Sequence, residues 1–91
     1  MTKLKRAPEL KTTVLPDGYI AVFSGPSQNA YTIPPSGALA WEFFDGQNST
    51  ADVVKLVATE LGVPESSELR EQIEGLANEL LKNGFLEPCS N

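Results

Sequence analysis

The side chains able to do chemistry are few and poorly arranged for it. The 91 residues include no His and a single Cys, Cys89, near the C-terminal end. Carboxylates are plentiful, but Glu65, Glu68, Glu71, Glu74 and Glu79 fall around a helical segment where water solvates them. There is no glycine-rich phosphate loop and no His/Cys/carboxylate spacing of the kind that holds a metal. The expectation is a chain that is not an enzyme by itself, binds no metal and uses no cofactor. One Cys also rules out an intrachain disulfide, which fits a reducing compartment.

If the chain does no chemistry, its scaffold must carry the function, and its size limits that scaffold to one domain with one modest core. Hydrophobic residues make up 41% and charged residues 21%, an ordinary globular balance. The net charge of -5 is unevenly spread: Lys3, Lys5, Arg6 and Lys11 crowd the start and leave an acidic body. The reading is a flexible basic tail over 1–10, a folded domain over 11–87 and a frayed end over 88–91. Basic residues open the chain without an apolar run behind them, and no stretch approaches the roughly 20 apolar residues of a membrane span. A cytoplasmic protein with no membrane contact is expected.

The elements follow from local chemistry. "KTTVL" at 11–15 is β-branched and apolar, and "PDG" at 16–18 supplies a turn, Pro16 fixing φ and Gly18 permitting a positive one. "YIAVFS" at 19–24 gives a second strand, "GPSQN" a turn, and "AYTI" at 30–33 a third strand that two prolines end. From Ser36 the period becomes helical, with Leu39, Ala40, Phe43 and Phe44 in phase, Trp41 beside them and Gly46 as the expected stop. Trp41, Phe43 and Phe44 are assigned to the core. Ser49 or Thr50 caps a second helix whose apolar face is Val53, Val54, Val57 and Leu61, and Gly62 with Pro64 ends it. Ser66 or Ser67 caps a third, with Leu69, Ile73, Leu76 and Leu80 inward and Gly84 closing it. The string is β-β-β-α-α-α, an α+β fold in which a three-stranded antiparallel sheet precedes a three-helix bundle.

The order of these parts resembles the pyrroloquinoline quinone peptide-chaperone (PqqD-like) family, the recognition elements of ribosomal peptide natural-product pathways. The residues that carry the likeness are Ile33, Ser36-Gly37, Trp41, Asp45-Gly46 and Thr50, then Leu76, Leu80, Gly84, Phe85 and Leu86. Pro34 stands where the family has Asn, and Gln72 where its third helix often has Asp, which argues against pyrroloquinoline quinone biosynthesis itself. The resemblance implies a winged helix-turn-helix that binds a precursor's leader segment as an added strand and presents it to a separate modifying enzyme. A radical S-adenosylmethionine enzyme is the favoured partner; a lasso-peptide protease and a cyclodehydratase are the others.

The residues give this reading independent support. The strand Ala30, Tyr31, Thr32 and Ile33 has no Lys, no inward charge and no internal proline, so at a sheet edge it would lack the usual guards against pairing. Ile73, Ala77 and Leu81 widen the apolar surface of the third helix beyond one contact face, with Arg70 and Glu74 at its rim. These nine residues are the expected peptide site, acting by β-augmentation. The alternative is a DNA reader of the same architecture, but its recognition helix would bring net negative charge to the phosphates. A monomer or a weak edge-paired dimer is expected.

Overall fold

A computed structural model describes residues 2–25 and 29–89. The turn expected over 25–29 therefore falls largely outside the described residues, as do Ser90 and Asn91 of the expected frayed end.

The described residues form six strands and three helices, in the order β1 (Lys3–Arg6), β2 (Leu10–Val14), β3 (Ile20–Ser24), β4 (Asn29–Ile33), α1 (Pro35–Phe43), β5 (Asp45–Ser49), α2 (Thr50–Leu61), α3 (Ser67–Lys82) and β6 (Leu86–Cys89). The fold is α+β with two antiparallel sheets, ordered β2-β3-β4 and β5-β1-β6. The expected meander is the first sheet. The second was not foreseen, and it corrects the simple β-β-β-α-α-α order in three places.

The first correction is at the start, where residues read as tail form β1 between β5 and β6. Leu4 is 4% exposed in the core, and its flanking lysines stay half-buried or exposed. The second is Gly46. Helix α1 ends at Phe43, with the Phe44 N–H on the Trp41 carbonyl, and Gly46 at φ +88° lies inside β5 where the pairing with β1 skips between Leu4 and Lys5. It serves a bulge, which a positive φ suits. The third is β6, which pairs Leu86 to Cys89 with Arg6 to Lys3 where a frayed end was expected from 88.

Helix ends follow the capping rules. Ser49 Oγ accepts from Asp52 N–H at 3.3 Å while Asp52 Oδ2 accepts from Ser49 N–H at 3.0 Å, a reciprocal box opening α2. Ser66 Oγ accepts from Leu69 N–H at 3.1 Å to open α3. At its far end Gly84 takes φ +81°, its N–H bonds Leu81 O at 3.2 Å and Phe85 N–H bonds Leu80 O at 2.8 Å, a Schellman closure that tucks Phe85 under the sheet. One core unites the layers, with Val22, Ile33, Phe44, Val53, Val57, Leu80 and Phe85 almost wholly buried.

Candidate peptide-binding edge

The backbone of the first sheet determines which of its polar groups are free. Leu15 N–H donates to Tyr19 O at 2.8 Å, closing the Pro16-Asp17-Gly18 turn. Hydrogen-bonded and non-bonded pairs alternate outward from such a closure in an antiparallel ladder. Thr13 and Ala21, then Lys11 and Phe23, are therefore the bonded pairs between β2 and β3, so Ile20, Val22 and Ser24 turn their groups towards β4. Their partners are Ile33, Tyr31 and Asn29. Ala30 and Thr32 consequently point their N–H and C=O away from β3, and β4 is the last strand of its sheet. Beyond them Pro34 has no N–H, and its carbonyl already accepts from Gly37 N–H at 2.8 Å. Among the described residues the free edge is two donors and two acceptors, on Ala30 and Thr32.

Side chains alternate across that strand. Ala30 and Thr32 are exposed on the outer face, Ile33 is buried, and Tyr31 is half-buried with its ring 6.1 Å from that of Phe85 and tilted by 50°. The inner side of the strand therefore packs on Phe85, just past α3. Which flank of α3 it meets is fixed by Gly37. A Cβ placed on Gly37 would lie 2.8 Å from Leu76 Cδ2 and 3.2 Å from Ile33 Cγ2, so Leu76 is the helix residue beside the end of β4. Tyr31 thus meets Phe85, just past the end of α3, while Ile33 and Leu76 both border Gly37 near the start of α1.

Helical geometry then sorts the expected site. Ile73 and Ala77 are 3% and 1% exposed, within the core. At 100° per residue Glu74 projects about 160° away from Leu76, with Arg70 and Leu81 on its side of the core-facing line. Arg70 and Glu74 instead line a cleft of about 410 Å³ against Thr50, Ala51 and Val54 of α2. Of the nine expected residues the structure brings together Ala30, Tyr31, Thr32 and Ile33; Arg70, Glu74 and Leu81 belong to the opposite flank. The flank beside β4 carries Leu69 and Leu76, both half-buried, with Gln72, Glu79 and Asn83. Sequence reasoning put Leu69 and Leu76 in the inner stripe. The signal that marks their side is Ser36-Gly37, the small step that lets α1 approach Leu76.

Across the molecule, Arg6 joins the second sheet to α1. Its guanidinium lies 5.8 Å from the Trp41 ring centroid, Nη1 donates to Trp41 O at 3.3 Å, and it stands 3.8 Å from Glu42. Among the described residues no group of three His, Cys, Asp or Glu side chains could hold a metal ion. Nor is any described helix long and apolar enough to cross a membrane.

The profile of the family described as coenzyme PQQ synthesis protein D (PqqD) matches residues 19–86. The chain belongs to the PqqD family. Two solved structures share its fold. One, described as lasso peptide synthetase B1 complexed with the leader peptide, has a TM-score of 0.73 at 22% identity and covers 94% of this chain and 99% of its own. The other, TbiB1 in complex with the TbiA(beta) leader peptide, has a TM-score of 0.74 at 11% identity, covering 96% and 99%. No curated protein matches. The PqqD match begins at Tyr19 and so spans β3 and β4, all three helices, β5 and the start of β6.

Proposed function

We propose that this PqqD-family chain binds the leader segment of a ribosomally made precursor peptide by strand addition to β4 and delivers it to a separate modifying enzyme. The observation that carries the reading is the free edge of Ala30 and Thr32, unguarded by charge or proline and backed by the half-buried Leu76 flank of α3. Main-chain hydrogen bonds would supply affinity, and inward leader side chains would enter the gap between Tyr31, Ile33 and Leu76. Both structural neighbours are described as complexes with leader peptides, which supports the reading.

The winged helix-turn-helix is, on this proposal, a scaffold with no chemistry of its own. Its contribution is effective concentration: holding leader and enzyme together makes their encounter nearly intramolecular. A radical S-adenosylmethionine enzyme is the partner we favour from the family. A lasso-peptide protease is the second reading, favoured by the lasso description of one neighbour. The DNA-reading alternative would set the exposed Glu68, Glu71, Glu74 and Glu79 of α3 against phosphate.

The test is an NMR titration of labelled protein with the synthetic leader of the precursor encoded beside it. Saturable amide shifts at Ala30 and Thr32 and along Leu69, Leu76 and Asn83 are expected. Shifts confined to the Arg70 and Glu74 flank would place the site in the α2–α3 cleft instead. A folded protein with no shifts at all would sink the leader-binding reading.

A further inference from the structure

The outer face of the first sheet carries an aromatic ring that its own neighbours leave half uncovered. Cross-strand register lines up two rows on that face: Lys11, Phe23 and Ala30, then Thr13, Ala21 and Thr32. All but the half-buried Ala21 are exposed. Phe23 is 45% exposed, while Phe43, Phe44 and Phe85 lie in the core or pack against it. On its β2 side the ring has the aliphatic stem of Lys11 as a neighbour. On its β4 side it has only the methyl of Ala30, one of the two residues whose N–H and C=O point away from the sheet. Phe23 and Ala30 form a pair without mutual hydrogen bonds, the closer of the two kinds, with Cα atoms about 4.5 Å apart. A large ring and a small lane thus lie side by side at the free edge.

We infer that Phe23 is a specificity residue for the added strand, which bears a large apolar or aromatic side chain at the position beside Ala30. This rests on the strand-addition reading above and adds what the outward half of that strand carries. A strand bonded to Ala30 and Thr32 sets the side chains of the residues beside them on the same face as theirs. The residue beside Ala30 stands about 5.5 Å from it and hence about 10 Å from Phe23 at Cα. A large side chain there crosses the Ala30 methyl and meets the ring, and both lose contact with water. The second row offers no such partner. Beside Thr32 an incoming side chain finds only Ala21 beyond, a methyl already half-buried, so bulk gains nothing at that position. Of the two outward positions, one selects for size and the other does not.

The experiment selects random twelve-residue peptides by display on wild type. One recovered peptide, with each position replaced by Ala in turn, is then titrated against wild type, Phe23→Thr, Ala30→Leu and Thr32→Pro. Thr is a β-former and Phe23 lies on the exposed face, so Phe23→Thr should keep its strand; circular dichroism and a melt check every variant. At one large apolar position, replacement by Ala should weaken binding to wild type roughly fivefold and binding to Phe23→Thr hardly at all, the coupling expected of a pair packed on an aromatic ring. Ala30→Leu fills the lane and should prefer the small residue there. A coupled position that kept its preference for bulk on Ala30→Leu would place the contact away from Ala30 and overturn the inference. Should every replacement cost the same on wild type and Phe23→Thr while Thr32→Pro loses the peptide, Phe23 is a bystander and the strand-addition reading stands. Should wild type retain no peptide, or Thr32→Pro bind it as wild type does, both fall together.

Discussion

Gly37 stands between two demands that a side chain there would set against each other. In the first turn of α1, Ala is favoured over Gly by up to about 1 kcal/mol. The added methyl, however, would meet Leu76 Cδ2 at 2.8 Å and the immovable, buried Ile33 at 3.2 Å. Leu76 is half-buried and can turn away, which at the proposed site would carry it towards the leader. Gly37→Ala is therefore expected to change the free energy of unfolding in urea by less than ~1 kcal/mol while leader affinity falls roughly tenfold, about 1.4 kcal/mol; an unchanged affinity would mean that Leu76 does not border the site. A second residue-scale prediction concerns α2. The Asp52 carboxyl is held below its ordinary range by the Ser49 backbone N–H first and the Ser49 side chain next, with Lys55 and Lys3 adding a smaller pull. A depressed folded pKa contributes stability above the unfolded value and loses it as pH falls through the folded one. Asp52→Asn should therefore flatten the loss of thermal stability below about pH 4, where free Asp titrates. Ser49→Ala, which removes the hydroxyl half of the box, should cost about 1 kcal/mol at neutral pH in chemical denaturation.

At the scale of elements, β4 can be tested without disturbing its sheet. Thr32 turns its N–H outward, so Thr32→Pro leaves the ladder to β3 intact, removes one edge donor and sets a ring against the incoming strand. Such a hydrogen bond is worth about 0.5–1.5 kcal/mol and the steric clash adds to it, so leader binding should fall at least several-fold while the melting temperature stays near that of wild type. Calorimetry and a melt on the same sample check both halves. The meander and the helix caps were legible because each has strong local chemistry: β-branched runs, Pro-Asp-Gly, serines before helices, Gly62 and Gly84 after them. The second sheet was not. Strands β1, β5 and β6 bury chiefly Leu4, Ser49 and Leu86, so none carries a period-two pattern, and their sequences KLKR, DGQNS and LEPC look like tail, turn and tail. Strand β4, the edge proposed for the site, was legible for the same reason as its sheet. The flank of α3 was not, because the apolar stripe of a helix shows what faces the core and leaves open which neighbour lies on either side.

For the whole molecule, the second sheet changes what the first ten residues are for. β1 is its central strand, bonded to β5 and β6, with Lys5 Nζ 3.4 Å from Glu87 and Arg6 bridging to α1. Leu4→Ala should cost about 2–5 kcal/mol, the range for emptying a core Leu site, and should appear as a lowered melting temperature. A chain that melted normally without residues 2–8 would show that the domain stands on its first sheet and helices alone. The pairing of Lys3 with Cys89 has a further consequence. Antiparallel partners sit about 4.5–5.5 Å apart at Cα, so the polypeptide enters and leaves this domain through neighbouring strands. Such a unit can be spliced into a surface loop of another protein, because a host chain interrupted there would find its two cut ends almost touching. Grafted into an enzyme in this way, β4 and its groove would travel whole, on the far sheet from the seam.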